Sequence, residues 1–336
     1  MRKVLAFILA VSMMFTMVAC GAAAPAPAPS AGNAQPGAPA VKENKDITIA
    51  MVAKHEGIAW FDDMRVGIEK FAADTGVNAY QIAPEGGDPA KQVQMVEDLI
   101  AQGVDAILVV PNDAQAMAPV LAKAREQGIV VVSHEASDLA DVVDYDLEAF
   151  TNEEHGIRFA KELAEGMGGE GTYVSFVGML TMTTHMQWFN AMQKHLEENY
   201  PNMKIINAEP YEDKNDTTLA YEKTLEVLKA HPDVKVVCCI GGGGAVGANE
   251  ALKSANKIAD NVGIFAADAT DQELAAMLNG EANRMSVMVT GTPKVIGESC
   301  YQLITKLGTG GTFDSRNVYR DIFPVTAENA SQYYSK

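Results

Sequence analysis

From Asp46 onward, short runs that are apolar at every position alternate with longer stretches of helical period. Nothing else in the chain constrains its fold as strongly. Ile47 to Ala53 (ITIAMVA) reads as a strand, Phe61 to Thr75 as a helix and Asn78 to Ala83 as a strand. Pro89 to Gln102 reads as a helix, with Asp88 placed to cap it, Pro89 in its first turn and Gly103 to close it. Ala106 to Val110 is a third strand, Ala114 to Gln127 a helix stopped by Gly128, and Ile129 to Ser133 a fourth strand. A strand that is apolar throughout must be covered on both faces. Strands of that kind joined by helices predict a parallel sheet with helices on either side.

The pattern then restarts. Glu153 to Gly166 reads as a helix, Thr172 to Val177 as a strand, His185 to Asn199 as a helix and Lys204 to Ala208 as a strand. Thr217 to Ala230 is a helix, Val234 to Ile240 (VKVVCCI) a strand, Ala245 to Ser254 a helix and Val262 to Ala266 a strand. The class is α/β, with two doubly wound parallel-sheet lobes and a cleft between them. Ligands of open α/β sheets bind beyond the carboxyl ends of the strands. The loops at 54–60, 111–113, 134–138, 178–184, 241–244 and 267–270 are therefore where function should lie.

The N-terminus predicts export. Arg2 and Lys3 precede an apolar run from Val4 to Val18 that is too short for a stable membrane span, with small residues at its end. The sequence Met17-Val18-Ala19-Cys20-Gly21 resembles the lipobox of bacterial lipoproteins, with Met17 where Leu is usual. That resemblance implies removal of residues 1–19, a diacylglyceryl thioether on Cys20, and residence outside the cytoplasm on a membrane surface. Gly21 to Val41 is almost entirely Ala, Pro and Gly, which cannot bury enough apolar surface to order itself, so residues 20–45 read as an extended tether. Formal net charge is -18 and no basic cluster occurs, which argues against nucleic acid or anionic lipid as a partner.

The loops hold an aromatic pair, a lysine, carboxylates and histidines, but no Ser-His-Asp set with a nucleophile elbow. Gly241 to Gly244 follow a strand and precede a helix as phosphate loops do. They lack both the GxGxxG spacing and a Gly-Lys-Ser/Thr ending, so a tight turn with close backbone approach is expected. Cys238 and Cys239 sit in an apolar strand and read as buried thiols; with Cys300, they are the only cysteines besides Cys20. No Cys or His spacing fits a metal, and neither a metal nor a cofactor is expected.

Three stretches carry a resemblance to a known family. They are DITIAMVAKHEGIAWFDDMRVGIEKFAADTGV, QVQMVEDLIAQGVDAILVVPNDAQAMAPVLAKAREQGIVVV and TLEVLKAHPDVKVVCCIGGGGAVGANEAL. From Asp46 to about Phe323 the chain resembles a periplasmic sugar-binding protein of the ribose-binding type, a type I solute-binding protein, closest to the autoinducer-2 and rhamnose receptor branch. The resemblance implies a three-crossover hinge near Asp146 to Asn152, Val289 to Pro293 and Tyr319 to Pro324. It implies an N-terminal lobe of residues 46–148 and 291–320 and a C-terminal lobe of 149–290 and 321–336. Repressors of the same ancestry carry a DNA-binding helix-turn-helix where this chain carries an export signal.

Family members hold sugars between aromatic rings, which pack on C–H faces, and planar charged groups, which bind adjacent hydroxyls in pairs. Trp60 and Phe61 match the family's aromatic pair, the competing reading being a hydrophobic seam. Lys54 ends the first strand, where a lysine contacts ligand oxygens in the autoinducer-2 branch. Glu135 stands where the family carries a ligand-binding aspartate, one methylene longer, with His134 beside it. Asp268 matches the family's aspartate of the second half; it could instead cap the helix from Asp271. His185 and Gln187 lie where a cationic or amide residue reads ligand. Asn215-Asp216 resembles an Asn-Asp of the branch, or else caps the next helix. Gly241 to Gly243 replaces a Pro-x-Ala segment, and Thr290 sits near the second crossover.

By this resemblance the chain is an extracytoplasmic lipoprotein and not an enzyme. It would capture a small neutral carbohydrate and deliver it to the permease of an ABC importer, working as a monomer. The absence of arginine among the candidate contacts argues against phosphorylated sugars. The same fold serves a ligand-sensing lipoprotein for chemotaxis or signalling. A hydrolase with Glu135 and Asp268 as paired carboxylates is a third, weaker reading.

Overall fold

Apolar runs of the first half become β1 (Thr48–Val52), β2 (Asn78–Ile82), β3 (Ala106–Val109), β4 (Val130–His134) and β5 (Tyr145–Leu147). The computed structural model describes residues 42–148, 150–258, 262–267, 269–289 and 322–334. The five strands form one sheet in the order β2-β1-β3-β4-β5, every pair parallel. Successive side chains of a strand point to opposite faces, so β1 feeds two cores. Ile49 and Met51 pack with Phe61, Met64 and Ile68 of α1 (Ala59–Thr75). Ala50 and Val52 pack with Val96 and Leu99 of α2 (Pro89–Gln102) and with Met117 and Leu121 of α3 (Ala114–Glu126). The start of α2 follows its sequence signals: the Asp88 side chain accepts from the Ala90 and Lys91 amides, and Gly103 closes the helix in the left-handed region.

The second sheet runs β12-β11-β10-β9-β6-β7, with β8 also paired to β6. Its strands are β6 (Gly171–Val177), β7 (Met203–Ile205), β8 (Tyr211–Glu212), β9 (Val236–Cys239), β10 (Gly263–Ala266), β11 (Asn283–Val289) and β12 (Ile322–Val325). Only the β11–β12 pair is antiparallel. One face, with Tyr173, Val236, Cys238 and Phe265, meets α4 (Asn152–Met167) and α5 (Thr183–Asn199) through Phe159, Leu163, Phe189 and Met192. The other, with Val174, Phe176, Val237 and Cys239, meets α6 (Thr217–Ala230) and α7 (Gly244–Ser254). Helix α8 (Asp271–Leu278) lies beyond β10. Cys238 and Cys239 are buried and free, one on each face.

Three details differ from the sequence reading. The first expected crossover begins with a strand, β5, because Asp146 is anchored to the sheet by the Ser133 hydroxyl (2.5 Å) and only the residues after Leu147 leave it. The expected strand Lys204 to Ala208 is shorter and is followed by β8, so the outer edge of β6 is shared between two short segments. Contacts also begin before Asp46: Lys42 pairs with Asp105, and Asn44 donates to the Thr75 carbonyl (2.9 Å). Of the other two crossovers, Val289 and Ile322 to Pro324 belong to the antiparallel β11–β12 pair, and the rest lies outside the described residues. Among the described residues no helix is long and apolar enough to cross a membrane.

Candidate functional site

The loops after β1, β3 and β4 are bound to one another before any ligand is considered. Gln92, fully buried on α2, donates to the carbonyls of Ala53 (2.9 Å) and Val110 (2.8 Å) and accepts from the Asn112 amide (2.8 Å). Asn112 in turn donates to the Lys54 carbonyl (2.7 Å). This mesh places Lys54 just past the sheet, where its ammonium donates to Glu135 Oε2 (2.5 Å) and to Thr184 Oγ1 (2.6 Å). Thr184 belongs to the first turn of α5, so one buried lysine ties the two lobes together.

Glu135 sits with φ of 51°, a left-handed conformation that costs a residue with a β-carbon about 1–3 kcal/mol and clusters at functional sites. Burial pushes its carboxyl up. Burial is the largest single influence, but the Lys54 charge, the His134 charge, the Lys54 hydrogen bond and the His185 charge together outweigh it, and the carboxyl settles at about 2. His134 Nδ1 faces the Leu147 carbonyl (2.7 Å), which only accepts, so Nδ1 carries the proton. Its Nε2 lies 3.7 Å from Glu135 Oε1.

On the second lobe the amide of Gly178 donates to His185 Nδ1 (3.1 Å), which leaves the ring proton on Nε2. Burial, then the charge of Lys54, pushes His185 down to about 3, so it is neutral at physiological pH. The His185, Trp188, His155 and Phe150 rings form a continuous wall, with centroids 5.7 Å, 4.2 Å and 4.9 Å apart along it. Trp188 Nε1 donates to Asn152 Oδ1 (2.7 Å), Asn152 donates to Gln187, and Gln187 donates to both Asp138 oxygens (3.0 Å each) on the first lobe. Thr183 closes the seam further: its amide reaches the Asn112 carbonyl (3.2 Å) and its hydroxyl accepts from Ala114 (3.2 Å).

Asn215, at φ of 54°, stands against the glycine turn. A β-carbon at Gly241 would lie 2.5 Å from Asn215 Oδ1 and 2.8 Å from His185 Cε1, so glycine is required there for close approach. Asp216, not Asn215, caps α6 by accepting from Leu219 (2.7 Å). Asn215 Oδ1 and Asn112 Oδ1 are both buried without a partner, as two ligand-reading acceptors would be.

The structure thus brings together Lys54, His134, Glu135, His185, Asn215 and Gly241. Trp60 is half-buried in the first turn of α1, packed on the core with Nε1 unpartnered, while Phe61 is buried in that core. Asp268, Thr290 and Cys20 lie outside the described residues. The cap of α8 is Thr270, whose hydroxyl accepts from Glu273 (3.3 Å). Sequence reasoning missed Asn112, Thr184, His155, Phe150 and Trp188. Asn112 falls in the quoted phrase LVVPND, whereas His155 looks like any helix residue until α5 packs beside it. A cavity of about 990 Å³, lined by Gly171, Val236, Gly263 and Arg284 among others, opens at the amino ends of the second-sheet strands, away from these loops. Among the described residues no group of His, Cys, Asp or Glu could hold a metal ion.

Comparison with known proteins gives the same picture. Residues 49–312 match the family model described as periplasmic binding protein domain. The ribose import binding protein of Bacillus subtilis is 26% identical over 300 residues, covering 89% of this chain and 90% of that protein. An ABC transporter solute-binding protein of Burkholderia graminis, solved with D-arabinose, superposes with a TM-score of 0.79 at 21% identity over 88% of this chain and 100% of its own. LsrB of Clostridium saccharobutylicum, solved with AI-2, gives 0.75 at 17% identity over 85% and 99%. Two parallel-sheet lobes and a family match over most of the length lead to one conclusion: the chain belongs to the periplasmic binding protein domain family, as a binding protein and not an enzyme.

Proposed function

We propose that this chain is an extracytoplasmic lipoprotein that captures a small neutral carbohydrate between its lobes and hands it to an ABC importer. The observation that carries the reading is the bridge from Lys54 to Glu135 and Thr184. A buried donor held by a carboxylate of one lobe and a hydroxyl of the other is the arrangement a sugar hydroxyl enters by replacing Thr184, so ligand capture and lobe closure use the same atoms. Lys54 and Glu135 pair their charges and the His155 and His185 imidazoles are neutral at physiological pH, which suits an uncharged polyhydroxylated ligand. Relatives named for ribose import and for xylitol binding support the carbohydrate class. Asp268 and Thr290 complete the proposed set from the second half, and Cys20 carries the proposed anchor.

The decisive experiment is thermal denaturation with millimolar D-ribose, D-allose, D-arabinose, L-rhamnose, xylitol and autoinducer-2, alongside mass spectrometry of any ligand retained on purification. A ligand binding only the folded state at 100 times its Kd stabilises by about 2.7 kcal/mol, which this assay resolves. Absence of any shift and of any retained carbohydrate would refute the reading.

A further inference from the structure

The ring wall of the second lobe holds a buried polar atom that no protein group satisfies. His155 is buried on α4 against Phe150 (centroids 4.9 Å apart) and Trp188 (4.2 Å), which also contact each other (5.9 Å), and its Nδ1 has no hydrogen-bond partner. A buried polar atom left unpaired is destabilising, so a residue of this kind needs an explanation. Packing alone gives none, because a phenyl ring would fill the same gap without that cost. The site is nearby: His155 feels the charge of Glu135, and His185, whose ring also packs on Trp188 (centroids 5.7 Å apart), feels that of His155.

We infer that His155 is a specificity-determining residue of the ligand site, offering Nδ1 to one hydroxyl of the carbohydrate while Phe150 and Trp188 hold its ring in place. The inference rests on the carbohydrate reading. Burial pushes the imidazole down to about 4, so at physiological pH it is neutral and carries one donor and one acceptor nitrogen. A hydroxyl, which both donates and accepts, can meet Nδ1 in either tautomer. Trp188 is already committed through Nε1 to Asn152 and contributes its ring face alone.

Two variants separate this role from packing. His155→Phe keeps the ring stack and removes the nitrogen; His155→Asn loses the stack but sets an amide near the Nδ1 position. The probe is whichever sugar of the panel above most stabilises the unmodified protein, titrated calorimetrically into each variant. Hydroxyl reading predicts that His155→Phe folds with an unchanged or higher Tm and binds about 10-fold or more weakly, with His155→Asn in between. A packing role predicts the reverse order, with His155→Phe binding like the unmodified protein, and that result overturns the inference while leaving the carbohydrate reading intact. If His155→Phe does not fold, ¹⁵N NMR of the unmodified protein decides: the Nδ1 resonance must move on saturation with the probe, and a stationary resonance overturns the inference. No stabilisation by any panel sugar removes both readings together.

Discussion

Replacing Lys54 with methionine isolates the central ion pair, because the side chains have similar length and the ammonium alone is lost. Lys54 and Glu135 both extend from the first sheet, so their contact does not depend on lobe closure. In the native fold the Glu135 carboxyl lies at about 2 against an ordinary 4.5, which corresponds to about 3 kcal/mol of folded-state stability. Since the folded value is depressed, that contribution is present above pH 4.5 and is lost as pH falls through about 2. In Lys54→Met the burial remains while the main opposing charge is gone, so the carboxyl moves above its ordinary value. The variant must then bury an unpaired charge or keep a proton that the unfolded chain releases. Its deficit should reach about 3–5 kcal/mol at pH 7.5, lowering Tm by roughly 6–10 °C. The deficit should shrink as pH is lowered toward 4.5, by the part that the variant's raised carboxyl contributes. Differential scanning calorimetry without ligand at both pH values measures this. Adding Glu135→Gln should recover most of the loss at pH 7.5. A deficit of equal size at both pH values, or a double variant whose losses simply add, would refute the ion-pair argument. Thr184→Val serves as the control and should cost only about 1 kcal/mol, the net value of one hydrogen bond.

Three further outcomes are expected. Gly241→Ala forces a β-carbon into Asn215 and His185, which should cost about 1–3 kcal/mol in chemical denaturation and weaken sugar binding; unchanged affinity would remove Gly241 from the site. Glu148, buried beside Asp146 and accepting from the Ala136 amide (2.6 Å), has its carboxyl raised by burial and then by the Asp146 charge. A raised carboxyl destabilises the fold increasingly as pH rises above its unfolded value, so Glu148→Gln should gain stability between pH 5 and pH 8, and urea melts showing a pH-independent difference would contradict this. Gln187→Ala removes the bond between α5 and Asp138, and small-angle scattering without ligand should report a larger radius of gyration; an identical radius would show that this bond does not hold the lobes together.

Much of the scaffold and part of the site were legible in the chain. Strands such as Ala106–Val109 are apolar at every position, and a run of that kind has only one stable environment, the middle of a sheet covered on both sides. Helix α2 was readable to its last residue because Asp88, Pro89 and Gly103 mark its ends through local backbone chemistry. Lys54, Glu135 and His185 could be singled out because the family resemblance places ligand contacts at their positions, at or beside loops beyond the carboxyl ends of strands.

What stayed illegible depends on which segments meet. Strand β5 could not be separated from the crossover, since Tyr145–Leu147 is held as a strand by β4 and by the Ser133–Asp146 bond and not by its own pattern. Phe61 and Trp60 are adjacent in sequence, yet one is a core residue and the other only partly buried at the core's margin, a difference set by the facing of α1 on its sheet. His155 lies 33 residues from Trp188 and joins the site only because Gly156 lets α4 and α5 approach closely; a β-carbon there would lie 2.5 Å from the Trp188 carbonyl oxygen. The alternation of elements and their parallel two-lobe arrangement could be read from the chain alone, because hydrophobic periodicity and capping are local. The pairing of Lys54 with Glu135 and Thr184, and the unsatisfied nitrogen that His155 keeps among aromatic rings, emerge only in the folded molecule. Those facts depend on distances between side chains far apart in the chain, which no local pattern encodes.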